Sequence, residues 1–210
     1  QDLSAYKVLI VPMLYVADDA LLQRIADYVR KGGHVVMTFK SGFTNENAAV
    51  RWTMAPGPLR QALGFHYQEF SNLAQPLALK GDPYHTGADN KVRWWMEFLT
   101  PTTATVVARY RHASWPDSDT VTRPAYGPGA VTYVGFMPTD AMVEKILADQ
   151  VKRAGVEDRS SGARFPVIVR SGTLQNGHAV HYVLNYSAVP QTFTYGFGAG
   201  IRLILTGLII

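Results

Sequence analysis

Cysteine is absent from this chain of 210 residues. Its absence excludes disulfide bonds, thiolate metal sites and cysteine nucleophiles. No apolar run approaches the ~18 residues that a membrane-spanning helix requires, and the first residues do not show the basic-then-apolar pattern of a signal peptide. We therefore expect a soluble chain with no membrane partner, and these signals do not assign a compartment.

Concentrated charge is also missing. The chain has 20 lysines and arginines against 16 acidic residues, which gives a net charge of +4, and the basic residues are scattered among acidic ones. Binding to a phosphate backbone needs a basic stripe or patch, so we expect no nucleic-acid partner. A hydrophobic fraction of 47% and a charged fraction of 17% are ordinary for a globular protein and exclude a disordered chain.

The first 39 residues predict a strand, a helix and a second strand. Residues 7–12 (KVLIVP) form a continuous apolar run, which is typical of a central strand buried on both faces of a parallel sheet. Asp18 or Asp19 caps a helix with one apolar face, and Gly32-Gly33 ends it. Residues 34–39 (HVVMTF) are the next buried strand, so the pattern predicts a right-handed βαβ unit.

The rest of the chain predicts further strands, a second long helix and a β-rich tail. The helices are expected over residues 58–64 and from the cap at Thr139, with Met142, Val143, Ile146 and Leu147 on its apolar face, to Gly155. A polar segment at residues 157–164 marks a domain boundary. Strands are expected at residues 65–70, 94–99, 104–111, 121–125 and 130–134, and in the tail at 167–170, 179–185, 191–195 and 201–205. Residues 121–125 are expected to pair with 130–134 as a hairpin across the Gly/Pro turn at 126–129.

A long polar loop, residues 40–58, lies between the second strand and the next helix, and loops of this length in compact domains are usually functional or disordered. Ser41 follows a strand, as a hydrolase nucleophile does, but it lacks the flanking glycines of a nucleophile elbow, so Ser41-Gly42 is interpreted as a turn. The apolar residues 13–16 after the first strand cannot cradle a phosphate with hydroxyl groups. We expect no flavin, nucleotide or other cofactor.

Carboxylates and aromatic residues offer weaker signals of function. The chain is too short for a (β/α)₈ barrel of about 250 residues, and Glu46 in the long loop is the one glutamate with a possible functional role. Glu69 and Glu97 are interpreted as surface or interface partners of Arg60 and Arg93. His178 and His181 are not expected to bind a metal. The aromatic candidates in loops or at strand edges favour a protein interface over sugar stacking; they are Trp52, Trp94, Trp95, Trp115, Tyr84 and His85.

Several motifs in the correct order resemble the trimerisation domain of glycoside hydrolase family 42 β-galactosidases. The segments that match are DLSAYKVLIVPMLYV, GGHVVMTFKSGFTNEN, PGPLRQALGF followed by YQEF, the spacing of Trp95, Glu97 and Leu99, VTRPAYGPGAVTYVG, and VLNYS and LTG in the tail. The resemblance implies a doubly wound α/β fold, flavodoxin-like or class I glutamine amidotransferase-like, over residues 1–157. It also implies part of a small antiparallel β domain over residues 163–210.

In this family a (β/α)₈ barrel holds the two catalytic glutamates, and the second domain forms the trimer. The resemblance therefore implies no catalytic residue in this chain, with the barrel, the first βα stretch and the end of the β domain missing. Its implied partners are the parent's (β/α)₈ domain, two further copies of itself and, through the parent, a galactoside. It further implies a loop that faces a subunit interface or a neighbouring active site; the candidate residues are Ser41, Glu46, Asn47, Arg51 and Trp52.

We therefore predict an oligomerisation and scaffold module of a retaining β-galactosidase, without galactosidase activity of its own. One alternative is a sugar-binding accessory domain that uses Trp52 or Trp94. The other is a stand-alone amidotransferase-like hydrolase, which the missing cysteine and the missing nucleophile elbow disfavour.

Overall fold

The computed structural model describes residues 2–113, 118–156 and 163–194. Its contacts divide the chain into two compact units, residues 1–156 and 157–210. None of the helices in these described ranges is long and apolar enough to span a membrane.

The first unit contains twelve described strands and three α-helices, with short 3₁₀ turns at Gly57–Leu59 and Gly87–Asp89. The helices are α1 (Asp19–Arg30), α2 (Arg60–Leu63) and α3 (Asp140–Arg153). The strands are β1 (Val8–Val11), β2 (His34–Thr38), β3 (Phe65–His66), β4 (Phe70–Asn72), β5 (Ala78–Leu79), β6 (Arg93–Glu97), β7 (Thr100–Pro101), β8 (Thr105–Arg111), β9 (Asp119–Arg123), β10 (Ala125–Tyr126), β11 (Gly129–Val134) and β12 (Phe136–Met137).

A seven-stranded mixed sheet forms the centre of this unit, with the strand order β1-β2-β11-β9-β8-β5 and with β10 paired to β11. Strands β1, β2 and β11 are parallel to one another, as the βαβ prediction requires for the first two. Strands β9, β8 and β5 continue the sheet in antiparallel pairs. The predicted pairing of residues 121–125 with 130–134 is also present, since Tyr133 lies opposite Thr122.

Strand β1 lies at the edge of the sheet, so the prediction of a central strand buried on both faces was wrong. Its only partner among the described strands is β2, and the side chain of Ile10 is 51% exposed. A short apolar run does not distinguish the two cases, because it reports the composition of a strand and not the number of its neighbours.

The two long helices pack on opposite faces of the sheet. The carboxylate of the α1 cap, Asp18, accepts a hydrogen bond from the Leu21 N–H at 2.6 Å, and the hydroxyl of the α3 cap, Thr139, accepts one from the Met142 N–H at 3.4 Å. Helix α1 shares a hydrophobic cluster with Val35 and Met37 of β2, whereas α3 shares a second cluster with Val36. Alternate residues of a strand point to opposite faces, which places one helix on each side.

Two smaller predictions for this unit need correction. Val143, predicted on the buried face of α3, is 38% exposed, because the contact surface of the helix is centred on Met142 and Ile146. The single strand predicted over residues 65–70 is divided in two: β3 pairs with β7, whereas β4 joins a separate sheet of order β12-β6-β4. Between them Tyr67 donates its N–H to the Ala55 carbonyl at 2.9 Å, which turns the chain from one sheet to the other.

The second unit contains one described antiparallel hairpin, β13 (Val167–Thr173) with β14 (Ala179–Asn185). Both strands were predicted, and β14 has the predicted bounds. Residues 191–194 carry no strand, contrary to prediction. Tyr195 and the predicted strand at residues 201–205 lie outside the described residues.

Candidate interface loop and its buried base

Residues 40–58, between β2 and α2, form the loop that the sequence singled out, and its first part is tightly bound to the sheet. Residues 42–44 run beside residues 14–17 and prolong the parallel pairing of β1 with β2, with a parallel bridge between Val16 and Thr44. The Gly42 N–H donates to the Leu14 carbonyl at 2.8 Å, and the Thr44 N–H donates to the Tyr15 carbonyl at 3.0 Å. This segment, residues 40–44, is called the loop base.

Two buried hydroxyl groups hold the loop base in place through hydrogen bonds. Ser41 is fully buried; its hydroxyl donates to the Thr38 carbonyl at 2.7 Å and accepts from the Leu14 N–H at 3.1 Å. Thr44 is equally buried, and its hydroxyl donates to the Tyr15 carbonyl at 2.9 Å. Ser41 is therefore a structural residue of the turn, and it cannot contact a substrate or a partner.

Arg51 fixes the return path of the loop to the start of α1. Its side chain is only 11% exposed, forms an ion pair with Asp19 and donates to the Ala17 carbonyl at 2.7 Å. A guanidinium held between a carboxylate and a backbone carbonyl has few remaining rotamers, so this end of the loop is also rigid.

Residues 46–50 and Trp52, called the loop tip, differ sharply from the base. Trp52 is 96% exposed and Val50 is 64% exposed, and Glu46 and Asn47 are also exposed. The Asn45 side chain orders the chain here, since its Oδ1 accepts from the N–H groups of Asn47 and Ala49, each at 3.0 Å. An almost fully exposed tryptophan on a fixed loop is the type of anchor that protein interfaces use.

A cleft of about 600 Å³ lies between the loop tip and the start of α1. Of the five predicted candidates, Glu46, Arg51 and Trp52 line this cleft, whereas Ser41 and Asn47 do not. The other lining residues are Asp18, Asp19, Asn45, Val50, Thr53, Gly57, Pro58 and Arg60.

Glu97, interpreted from the sequence as a surface partner of Arg93, is instead fully buried, so that interpretation was wrong. Its Oε1 accepts from the Lys40 N–H at 2.8 Å and from the Trp95 Nε1–H at 3.2 Å, and its Oε2 accepts from the Tyr133 hydroxyl at 2.8 Å. Burial raises the pKa of Glu97, although these donors act in the opposite direction. Arg93 contacts Asp140 at 3.6 Å and the Pro138 carbonyl at 2.7 Å.

Lys40, the first residue of the loop, is held by β6 through both its backbone and its side chain. Its φ of 57° lies in the left-handed region, and its N–H points at Glu97. Its ammonium lies 3.7 Å from the centroid of the Trp95 ring, a cation–π contact. Trp95 is only 8% exposed, as is Tyr84, so neither ring presents an open surface to a partner or a sugar.

Four aromatic rings form a continuous row beside Lys40. Tyr15 stacks on Phe43 at 5.5 Å between centroids, Phe43 meets Phe70 edge-on at 5.7 Å, and Phe70 stacks on Trp95 at 4.6 Å. Such pairs stabilise beyond their buried area. The row links β6, β4 and the loop base into one packed assembly.

Among the described residues, Trp94 and His181 are not brought together with the loop cleft. Trp94 is 64% exposed on β6, away from the cleft lining, and Trp115 lies outside the described residues. His181 hydrogen-bonds through Nδ1 to the Ser171 hydroxyl at 2.8 Å. Within the part of the chain that the structure describes, no group of three or more His, Cys, Asp or Glu side chains could hold a metal ion.

The sequence matches the family described as the β-galactosidase trimerisation domain over residues 1–157. This chain belongs to that family. The trimerisation-domain match covers the whole first unit, with its mixed sheet, its loop base and its loop tip.

Curated relatives of this trimerisation domain are longer proteins. A β-galactosidase of Haloferax lucentense is 27% identical over 201 residues, which are 96% of this chain and 29% of the relative. A β-galactosidase of Lactobacillus acidophilus is 28% identical over 210 residues, which are 98% of this chain and 30% of the relative. The chain thus spans less than a third of either relative.

Solved structures of β-galactosidases also match this chain over only part of their own length. The crystal structure of the β-galactosidase from Bacillus circulans sp. alkalophilus superposes with a TM-score of 0.78 at 28% identity, covering 90% of this chain and 28% of that chain. The cold-adapted β-galactosidase from Rahnella sp. R3 has the same TM-score at 24% identity, over 90% of this chain and 28% of that one, which supports the fold alone.

Proposed function

We propose that this chain serves as the oligomerisation and scaffold part of a larger, retaining β-galactosidase that hydrolyses terminal β-galactosides, with the catalytic glutamates in a separate (β/α)₈ domain. The family assignment and the relatives' greater length support this proposal. The chain itself takes part in assembly, and its partners are further copies of itself and the catalytic domain. The galactoside is bound by the assembled enzyme.

The proposed role in assembly rests on the exposure of the loop tip. A tryptophan that is 96% exposed presents a large apolar surface to water, and burial of such a ring recovers roughly 25 cal/mol for each Å². The loop base and Arg51 hold the tip in place before any partner arrives. A preorganised anchor loses less conformational entropy on binding, so the arrangement suits a permanent interface.

The cleft beside Trp52 suits a wall of a neighbouring subunit's active site. It combines an aromatic ring with Glu46 and the paired Arg51 and Asp19, which are groups that hydrogen-bond or stack on sugars. We place Glu46, Asn47, Arg51 and Trp52 at this subunit boundary. Ser41 belongs to the loop base and supports them indirectly.

The domain assignment follows the same proposal. Residues 1–157 are the trimerisation domain, with a doubly wound fold of the flavodoxin or amidotransferase type, and residues 163–210 are part of a small C-terminal β domain. The parallel β1-α1-β2 unit and the helices on opposite faces support the doubly wound assignment. The antiparallel strands β9, β8 and β5 depart from a fully parallel sheet of that type.

Light scattering over a range of concentrations tests the role in assembly. We expect the chain to show three times the 23.2 kDa mass of one copy, and Trp52→Ala to dissociate this species at concentrations where the wild type is intact. Trp94→Ala is the matched control, because Trp94 is also exposed but lies outside the loop. A wild-type chain that is monomeric at every concentration would overturn the proposal that these residues suffice for assembly.

Hydrolysis assays test the location of the chemistry. The purified chain should not hydrolyse a chromogenic β-galactoside, because the proposal places both catalytic carboxylates elsewhere. Turnover by the chain that disappears in Glu46→Gln would contradict the scaffold role and make the loop a catalytic element.

A further inference from the structure

Glu97 joins three separate elements at the point where the loop leaves the sheet. The carboxylate belongs to β6, one of its donors is the backbone of Lys40 immediately after β2, and another is the hydroxyl of Tyr133 on β11. Trp95 completes the arrangement, because its indole N–H shares Oε1 with Lys40 while its ring lies beneath the Lys40 ammonium. Lys40 is therefore fixed at its backbone and at the end of its side chain.

Among the described residues, Glu97 is the charged side chain that is fully buried. Burial of a carboxylate opposes folding unless hydrogen bonds replace its hydration, and an apolar residue of similar volume would often stabilise such a site better. An apolar side chain could therefore fill this part of the core as well as the carboxylate does. What an apolar side chain cannot supply is an acceptor for the Lys40 N–H.

We propose that Glu97 is a positioning residue that fixes the left-handed turn at Lys40 and thereby the direction in which the interface loop leaves the sheet. The inference rests on the proposed function, in which the loop tip makes the assembly contact. Lys40 carries a Cβ in a backbone region that L-residues avoid, so the turn needs an external restraint. Glu97 and Trp95 provide that restraint, and Ser41 continues it by bonding to the Thr38 carbonyl.

Glu97→Met tests the inference, since methionine has a similar volume and no oxygen acceptor. Glu97→Gln is the conservative rescue, because its amide oxygen can still accept from Lys40 and Trp95. Tyr110→Phe is the matched control: Tyr110 is fully buried and its hydroxyl bonds to the backbone of Glu97 and to the Gly135 carbonyl, and these hydrogen bonds do not reach the loop.

Hydrogen exchange of the 210-residue chain, at concentrations low enough to keep it monomeric, reports the positioning directly. In Glu97→Met, the amides of residues 40–44 should exchange about tenfold faster than in wild type, because the Lys40 N–H loses its buried acceptor. The amides of β11 should change by less than about threefold, because β11 pairs through its backbone with β2 and β9 and only the Tyr133 side chain contacts the Glu97 carboxylate. Glu97→Gln should stay within about threefold of wild type in both segments. Tyr110→Phe should change the two segments equally.

Two exchange results would overturn the inference: no acceleration at residues 40–44 in Glu97→Met, or an equal acceleration there and in β11. If Glu97→Met does not fold, Trp95→Phe decides, because it removes one donor to Oε1 and keeps an aromatic ring near the ammonium. That variant should accelerate exchange selectively at residues 40–44, and a uniform or absent effect would overturn the inference.

Assembly separates this inference from the proposed function. Glu97→Met should raise the dissociation constant of the oligomer about tenfold, and Trp52→Ala should raise it at least as much. An unchanged constant in Glu97→Met while Trp52→Ala dissociates would overturn the positioning role. An unchanged constant in both variants would overturn the assembly role of the loop instead.

Discussion

The loop base and the loop tip are adjacent in sequence and opposite in physical character. In the base, the Ser41 hydroxyl bonds to the end of β2, the Thr44 hydroxyl and two backbone N–H groups bond to residues 14–15, and Ser41 and Thr44 have no exposed surface. A few residues later Trp52 is almost entirely exposed. One segment is thus part of the core, and the other is a surface presented by it.

Because the base is buried and the tip is exposed, mutations in the base should affect folding and mutations in the tip should affect assembly. Substitutions in the base remove buried hydrogen bonds or force the backbone, and such changes belong to the short list of strongly destabilising mechanisms. Substitutions at the tip remove atoms that already contact water. The following predictions test this separation.

The largest effect is expected at Gly42, where the loop closes on itself. Gly42 has a φ of +70°, and a Cβ there would lie 2.8 Å from the Pro56 carbonyl oxygen, so Gly42→Ala should destabilise by about 3 kcal/mol. Gly81 has a φ of +73° with no neighbour within 4 Å, so Gly81→Ala should cost about 1 kcal/mol from backbone strain alone. Urea unfolding measures both, and equal losses would contradict the proposed close contact.

A smaller loss is expected when the Ser41 hydroxyl is removed. Ser41→Ala leaves the Leu14 N–H without its acceptor in a partly buried position, which should lower the free energy of unfolding by about 1.5 kcal/mol. Glu46→Ala, at the exposed tip of the same loop, should change it by less than about 0.5 kcal/mol. Urea unfolding of the two variants under one condition makes the comparison; a similar loss in both would break the distinction between base and tip.

The pH dependence of stability should reveal the buried carboxylate of Glu97, which bonds to the first residue of the loop base. Because the pKa of Glu97 is raised in the folded state, the folded chain holds the proton more tightly, and stability should fall as pH rises from the unfolded value of about 4.3 through the raised folded value. A single group bounds this slope at about 1.4 kcal/mol per pH unit. Burial and the Glu97 charge also raise the pKa of Tyr67 and Tyr133, which keeps both neutral in this window.

Glu97→Gln should remove this contribution, so the difference in unfolding free energy between variant and wild type should change with pH in that window. Lys40, whose ammonium lies over Trp95, is the cationic group at the site, and it is unchanged in the variant. A difference between the two proteins that is constant with pH would show that Glu97 does not titrate in the window.

Sequence patterns predicted the elements that depend on local chemistry. The caps at Asp18 and Thr139, the turn at Gly64 and the bounds of β14 follow from residue types and short spacings. The edge position of β1 could not be predicted in this way, because it depends on which strands pair with it and not on its own residues.

The candidate site likewise contains residues that the sequence could identify and one that it could not. Glu46, Arg51 and Trp52 could be selected because they lie together in one polar loop, and the structure places them in one cleft. Glu97 was misassigned because its three donors come from positions up to 57 residues away in sequence. The one local signal was Trp95-x-Glu97, a spacing that puts the indole and the carboxylate on the same face of a strand.

The smallest effect on folding is expected at the most exposed residue. Trp52→Ala should change the free energy of unfolding of the monomeric chain by less than about 0.5 kcal/mol, because the ring is 96% exposed and removal leaves no cavity. The same variant should weaken assembly, so one substitution separates the two roles.

Galactose or lactose should not alter the tryptophan fluorescence of the isolated chain if Trp52 contacts a protein partner. A saturable change that disappears in Trp52→Ala and persists in Trp94→Ala would instead assign a sugar to the loop tip.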